Sequence, residues 1–411
     1  MPISDSLPPR RHDVLIVGGG LVGASLAIAL DGLGLDVGML EASPAGALPA
    51  VFDERNLSFA EATVNALTAL GVMPLLRNPT GRIQRIHVSR VGDFGRIKLD
   101  ASEHRREEFG RVVVARDFGE ALETRLLQLT SLTRYRPARF IAVEPMRDGC
   151  RAIHIAGDDG EQTLHARLLV AADGARSTVR AALGIDADEH DYGQTLFVTR
   201  LRSQRPPDGT AYERLTANGP TALLPRGDGY YGLVHGVARA EAHAVAALDE
   251  ASFLARVQSI FGWRAGRFLS CGQRSAYPII GCVAQQLTTP RAVLVGNAAQ
   301  SLHPVGAQGF NLGLRDALTL AECIAAHIDD PGADALLLQY AQRRQQDRER
   351  TLAFSDGLAR LSANDASLLR PLRSAGMVMG DSQAWLQGWL VGGAMGYRGD
   401  VPSLCRRAAS A

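Results

Sequence analysis

The sequence predicts an α/β protein: a nucleotide-binding domain interrupted twice by pieces of a β-sheet domain, followed by a helical segment. Three observations predict it. Residues 13–41 read as strand, glycine turn, helix and strand, the β-α-β unit of a dinucleotide site. Residues from about 190 to 280 carry mostly strand-like runs, with one helix near 251–261. After residue 291 another apolar strand feeds a glycine-rich loop and a helix, and the chain is largely helical from there on. The expected boundaries are 1–80, 110–185 and 281–375 for the nucleotide-binding domain, 81–109 and 186–280 for the sheet domain, and 376–411 for the helical segment.

The elements follow in order. DVLIV (13–17) is a strand, GGGLVG a tight turn, ASLAIALDGLG a helix ending at glycine, and DVGML a strand closing on Glu41. Leu57, Ala60, Val64, Leu67 and Leu70 sit at helical spacing, so 56–77 is expected to be a helix stopping at Gly71. Residues 83–99 alternate in polarity around Gly92 and Gly95 and predict a hairpin. Residues 116–132 return to helical spacing, and strand-like runs follow at 138–144, 151–156 and 164–174. The sheet region contains LFVTRL, AYERL, TALLP, YYGLVHG and RSAYPI.

Composition excludes several classes. A length of 411 residues suits two interlocked domains or one large enzyme domain. Lys+Arg of 44 against Asp+Glu of 43 leaves a net charge of +1, which is no footprint for nucleic acid. Cys150, Cys271, Cys282, Cys323 and Cys405 are scattered and lack a C-x-x-C pair, so a reducing, cytoplasmic setting is expected rather than a disulfide framework or a metal site. The polar, Pro-rich start predicts no signal peptide. No apolar run approaches the roughly 18–20 residues of a spanning helix, so the chain is expected to be soluble or peripheral.

Three motifs carry the chemistry. Gly18, Gly20 and Gly23 form G-x-G-x-x-G after a strand and at a helix start, with the acidic Glu41 about 20 residues on. Glycines let the backbone approach a pyrophosphate, the helix start supplies partial positive charge, and the acid suits ribose hydroxyls. This motif alone leaves FAD and NAD open. The second, ADGARSTVR (172–180), contains Asp173 and Gly174 and follows an apolar strand; an Asp-Gly turn capping a short helix would explain it as well. The third, VLVGNAAQSLHPVGAQGFNLGLRD (293–316), runs from strand through turn to a helix near Gly309, with backbone N–H groups aimed at whatever lies in front.

In this order the three motifs resemble the flavin-dependent aromatic hydroxylases of the para-hydroxybenzoate hydroxylase fold. With FDERN (52–56), FGWR (261–264) and GQRSAYPI (272–279), they resemble the ubiquinone-biosynthesis branch, and within it the hydroxylases of 2-polyprenyl-6-methoxyphenols. The likeness spans nearly the whole chain and is weakest in 185–260 and after 375. It implies a Rossmann-like FAD-binding domain, FAD as cofactor and NADPH or NADH as reductant. It also implies O₂ and a polyprenylated phenol as substrates, and ring hydroxylation through a hydroperoxide that O₂ forms on the flavin.

The FAD-binding residues it implies are Gly18, Gly20, Gly23, Glu41, Arg55, Arg116, Asp173, Gly174, Gly296, Asn297, Pro304, Gly309, Phe310 and Asn311. Backbone N–H groups of Gly309, Phe310 and Asn311 would stabilise negative charge on the reduced ring. No acid–base residue and no metal is implied, because the cofactor carries the difficult step. Arg55 equally suits a salt bridge to Asp53 or Glu54, and Arg116 at a helix start suits a nearby anion. His303 beside Pro304 is better explained as a histidine bonded to loop backbone than as a base, and His235 and Tyr231 suit either a pocket or a sheet core.

Two positions depart from the family pattern. Asn297 stands where Asp is common and keeps an acceptor oxygen. Gly306-Ala307-Gln308-Gly309 transposes the commoner Ala-Gly-Gln-Gly order but leaves Gly309 at the helix entry. The stretch 375–396, with Trp385, Trp389 and Leu390 on one helical face, suits buried core or a membrane-interfacial surface. Peripheral contact with the inner membrane, and association with other ubiquinone-biosynthesis enzymes, are therefore expectations. A same-fold hydroxylase of another ring position or of a small soluble aromatic, a non-oxygenating flavin reductase, and a non-catalytic scaffold remain alternatives.

Overall fold

The computed structural model of the chain describes residues 10–50, 52–364 and 366–406. Its first strand, Arg11–Val17, is apolar without alternation because both faces of a parallel sheet are covered; Val14, Leu15 and Ile16 are fully buried. It pairs in parallel with Val37–Leu40 on one side (Val14 opposite Val37) and with Gly160–Ala171 on the other (Val14 opposite Leu168). Leu132–Tyr135 and Ala292–Leu294 extend this array outward, also in parallel. With Ala138–Val143, Arg151–Gly157 and Thr288–Thr289 they make an eight-stranded sheet. The helices Leu21–Ala29 and Gly309–Ala326 pack against each other.

A nine-stranded sheet is built around the long strand Ala187–Ser203, which pairs antiparallel with Tyr231–Ala238 and Ser275–Ala284. A register shift between Asp191 and Thr195 bends this strand, with Gly193 at φ 65° in the bend. Gly219–Pro225 and Thr210–Thr216 continue the sheet, and the expected hairpin follows as Arg85–Arg90 and Arg96–Asp100. The helix Glu250–Phe261, N-capped by Asp249, covers one face. Gln300–Ser301, from the loop of the third motif, pairs with the edge of this sheet and ties it to the nucleotide-binding half.

The expected helix over 56–77 is corrected. Asn56–Ala60 is a strand, paired antiparallel with Gly110–Val114, and the helix covers only Glu61–Ala69. The apolar spacing fits a helix, but Phe59 is buried against Phe118 and Phe310, contacts that an extended backbone supplies. A small sheet of Asn56–Ala60, Gly110–Val114 and Gly81–Ile83 results, an element that the sequence reading did not contain.

After Asp334–Ala363 the chain forms two further helices, Arg370–Ser382 and Ala384–Ala394. Trp385 and Trp389 are exposed on the second, whereas Val391 and Met395 pack into a core cluster beneath the sheet. Among the described residues no helix is long and apolar enough to cross a membrane.

Candidate active site

Three strands end side by side, and this brings the three motifs together. Ala172 N–H donates to Val17 O (2.8 Å) and Val295 N–H to Ala171 O (3.0 Å), so the first, second and third motifs leave adjacent parallel strands at their carboxyl ends. Ligands of open α/β sheets bind at such a place. Gly18 adopts φ 108°, and a Cβ there would lie 2.5 Å from Ala172 O. Gly23 serves packing: a Cβ would meet Gly18 O at 1.9 Å, so only glycine lets helix and strand approach so closely.

A cleft of about 950 Å³ opens in front of these strand ends, at the upper end of small-molecule sites. Gly18, Gly20, Glu41, Arg55, Asp173, Gly174, Asn297, Pro304, Gly309 and Phe310 line it. Its far wall is the nine-stranded sheet, through Leu196, Val198, Ala222, Leu224 and Val234, with Tyr277 and Pro278 at the margin. One end is therefore polar and glycine-rich, the other apolar.

At the polar end the Glu41 carboxylate accepts from Gly19 N–H (3.0 Å) and Ser43 N–H (2.7 Å), which fixes it at the rim. Asp173 accepts from Ser177 Oγ (2.5 Å), Thr178 N–H (2.8 Å) and Val179 N–H (3.2 Å), capping the short helix Thr178–Ala182 while lining the cleft. Arg180, buried behind it, donates to Ala298 O (2.9 Å) and Ala175 O (3.1 Å) and clamps the second motif to the third.

Arg55 both lines the cleft and pairs with Asp53, through Nε (2.8 Å) and Nη2 (2.8 Å), and it stacks 4.3 Å from the Tyr277 ring. Tyr277 Oη donates to the same carboxylate. Burial pushes the Asp53 carboxyl up, and the Arg55 and Tyr277 donors outweigh it, so Asp53 sits below its ordinary value. The guanidinium is thus oriented by its own neighbour in sequence.

Beneath the third motif, Gly296 (φ 58°) donates its N–H to Asp316 Oδ2 (3.2 Å), and Gln300 Nε2 donates to the same oxygen (2.6 Å). Arg344 Nε completes Asp316 at Oδ1 (2.7 Å), and Arg344 and Arg315 together hold Asp347. Burial raises the Asp316 carboxyl above its ordinary value, against the pull of Arg344. Asn311 is buried with its amide fully used. Its Oδ1 accepts from Ala60 N–H (3.0 Å) and Thr63 Oγ1 (2.7 Å), and its Nδ2 donates to Ser58 O (3.0 Å) and Ala307 O (2.8 Å). The side chain knits the helix start to the strand Asn56–Ala60 and leaves only its backbone N–H for a ligand.

The helix begins at Gly309, where a Cβ would meet nothing within 4 Å, so the backbone faces open space. The transposed loop takes left-handed geometry at both Gly306 (φ 72°) and Ala307 (φ 52°). His303 is a loop histidine: Val305 N–H donates to its Nδ1 (3.2 Å), leaving Nε2–H to donate to Gln194 Oε1 (3.0 Å). Burial pushes it down to about 4, so it is neutral. His235 is likewise buried and neutral, hydrogen-bonded to Thr221, and Tyr231 is core.

Arg116 is not brought to the cleft. It opens the helix Ala115–Leu126 on an exposed face and pairs with Glu54 at 3.3 Å, beside a separate, smaller cleft. The nearby acid already answers the helix-start charge. Gly23, Gly296 and Asn311 stand behind the lining and shape it. Sequence reasoning passed over Glu213, which projects into the apolar end from the strand Thr210–Thr216. Its only signal is a lone acid, within AYERL, at a position that alternation places on an apolar face.

A glycine-lined strand-end cleft, an acid at one end and an open helix start at the other are the parts of an FAD site, and the chain matches the family model described as FAD binding domain over residues 11–355. The chain belongs to this family of FAD-dependent aromatic monooxygenases. It is 36% identical to the ubiquinone hydroxylase UbiL of Rhodospirillum rubrum, over 89% of this chain and 85% of that protein. It is 27% identical to the 3-demethoxyubiquinol 3-hydroxylase of Escherichia coli, over 88% and 92% respectively. Among solved structures, p-nitrophenol 4-monooxygenase PnpA from Pseudomonas putida shares the fold, with a TM-score of 0.78 at 19% identity and coverage of 95% and 99%.

Proposed function

We propose that this chain hydroxylates the aromatic ring of a polyprenylated methoxyphenol in ubiquinone biosynthesis, with O₂ and NADPH or NADH as co-substrates. The observation that carries the reading is the two-ended cleft: a polar, glycine-rich end shaped for a dinucleotide, continuous with an apolar end walled by Leu196, Val198 and Val234. The names of the relatives from Rhodospirillum rubrum and Escherichia coli support the pathway.

In this reading Gly18 and Gly20 take the pyrophosphate at the start of Leu21–Ala29, and Glu41 the adenosine ribose. Asp173, Gly174 and Asn297 line the path toward the ring, and Arg55 stands beside it. The N–H groups of Gly309, Phe310 and Asn311 face the electron-rich edge of the ring. Bound FAD supplies the redox chemistry with O₂. The protein's part is to hold the ring against the sheet wall and exclude water. The division into a discontinuous FAD-binding domain and a sheet domain that presents the substrate belongs to the same reading.

The isoprenoid tail points to the lipid phase. Trp385 and Trp389 are 69% and 50% exposed, and Leu368 and Leu372, earlier in the same C-terminal stretch, are exposed too. Such a surface suits an interfacial belt, in which Trp is favoured. Peripheral contact with the cytoplasmic face of the inner membrane, near other enzymes of the pathway, follows from this reading. Liposome flotation of the wild type against a Trp385→Ser/Trp389→Ser variant tests it: equal flotation of the two overturns the assigned surface. For the activity, purified protein reconstituted with FAD is given NADPH or NADH and a short-chain prenylated methoxyphenol. Substrate-stimulated flavin reduction with a product one oxygen heavier is the expected result. Flavin reduction indifferent to every phenol would refute it.

A further inference from the structure

Glu213 sits where a carboxylate is costly. Its strand, Thr210–Thr216, alternates: Tyr212 meets His87 and Phe261 on one face, while Ala211, Glu213 and Leu215 share the other. Ala222 and Val88 lie opposite Glu213 on the flanking strands. Within the cleft its neighbours are apolar: Leu196, Val198, Ala222, Leu224 and Val234. Its Oε1 is sealed from solvent, and among the described residues it has no hydrogen-bond partner. Buried polar atoms are nearly always paired, so an orphan carboxylate oxygen in a ligand cleft asks for a ligand that donates.

No cation supplies the missing partner. On its own strand Arg214 turns to the other face, donating to Ile260 O and Ser89 Oγ. On the neighbouring strand Arg90 donates to Ser362 O. On the helix Asp334–Ala363, Arg360 is paired with Asp356, which accepts from Tyr192. Across the cleft Arg55 is held by Asp53. The other strands of this wall, Ala187–Ser203, Gly219–Pro225 and Tyr231–Ala238, bring Arg200, stacked 5.3 Å from the Tyr230 ring, and His235, bonded to Thr221 and approached by Arg256.

We propose that Glu213 receives the ring hydroxyl of the phenolic substrate and takes its proton. The phenol O–H bond breaks, the proton passes to a Glu213 oxygen, and the electron pair stays on the phenolate oxygen. No other bond changes in this step, and the carboxyl returns the proton to the phenolic oxygen of the product. The phenolate is the more electron-rich ring and hence the better acceptor of an electrophilic oxygen. Burial alone pushes the Glu213 carboxyl up to about 7, close to the optimum for a base working at neutral pH. This role rests on reading the cleft as that of an aromatic hydroxylase.

The test uses FAD-loaded enzyme with a short-chain prenylated methoxyphenol and compares wild type with Glu213→Gln. Both are expected to bind FAD with the same absorbance spectrum, since Glu213 lies at the apolar end. The variant should lose about 10²–10⁴-fold in kcat on the ordinary phenol, the usual contribution of a positioned base. It should recover most of that loss on a polyfluorinated analogue already ionised at the assay pH, and its pH profile should lose the limb near 7. Full activity of Glu213→Gln, or an equal loss on the ionised analogue, overturns the proposal. A wild type that binds FAD but hydroxylates no phenol refutes the hydroxylase reading itself, before any variant is compared.

Discussion

Replacing Arg344 by methionine tests how the floor of the cofactor loop is held. Arg344 is fully buried and donates through Nε to Asp316 Oδ1 (2.7 Å) and through Nη2 to Asp347 Oδ2 (2.7 Å). Asp347 keeps its bidentate partner Arg315 (2.7 and 3.1 Å), so the loss falls on Asp316, left with the neutral donors Gly296 N–H and Gln300 Nε2. Methionine fills similar space, and the cost is that of leaving a buried charge uncompensated, about 3–5 kcal/mol at pH 7. The pH dependence follows from sign. Burial already raises the Asp316 carboxyl, and removing Arg344 raises it further. A carboxyl raised in the folded state contributes stability below its unfolded pKa and loses it as pH climbs through the folded value. The variant should therefore be most damaged at neutral pH and above, and recover as pH falls from the raised folded value towards the ordinary carboxyl range, by up to about 1.4 kcal/mol per unit of acidification. Urea unfolding at pH 5, 6 and 7, in a fixed excess of FAD, reads this directly. A second arm, Arg344→Met/Asp316→Asn, should be more stable at pH 7 than the single variant. A cost under about 1 kcal/mol that is the same at pH 5 and 7 would refute the reasoning.

Further outcomes follow from the same site. Asn311→Ala removes two buried and two part-buried hydrogen bonds and should cost about 3 kcal/mol or more while weakening FAD affinity in titration; unchanged affinity counts against its role in setting the helix start. Ala307→Gly relieves a left-handed alanine (φ 52°) and should raise stability by about 0.5–1 kcal/mol by urea unfolding, the extra freedom of unfolded glycine offsetting part of the gain. His303 stays neutral when folded because burial pushes it from 6.5 down to about 4, so it contributes stability at neutral pH that is lost as pH falls from 6.5 towards 4. His303→Gln should flatten that acid limb by roughly 3 kcal/mol and leave the pH profile of turnover between 6 and 8 unshifted.

Local pattern makes much of this molecule legible. The first β-α-β unit, the hairpin around Gly92 and the helix start at Gly309 depend on neighbours in sequence, and sequence locates them. What fails depends on distant partners. Asn56–Ala60 has helical spacing but is claimed as a strand by Gly110–Val114, about half a hundred residues on, a tertiary choice that propensity does not encode. Arg116 at a helix start suggested an anion, and in the structure it pairs with Glu54, which the sequence brings near only through the fold. Asn311 was legible as a residue of the loop, but its four partners come from Ser58, Ala60, Thr63 and Ala307, which only the fold assembles. Glu213 is least legible of all, because its environment is made by three strands and the cleft. In the sequence it is one acid in a short polar run.

In the proposed function this chain transfers one oxygen atom from O₂ to a phenolic ring. Turnover of a short-chain prenylated methoxyphenol under isotopically labelled dioxygen, with the product read by mass spectrometry, tests it most directly. One labelled oxygen per product molecule is the expected result. Oxidation of the reductant with unlabelled product, or with no oxygen gained by the ring, would contradict it.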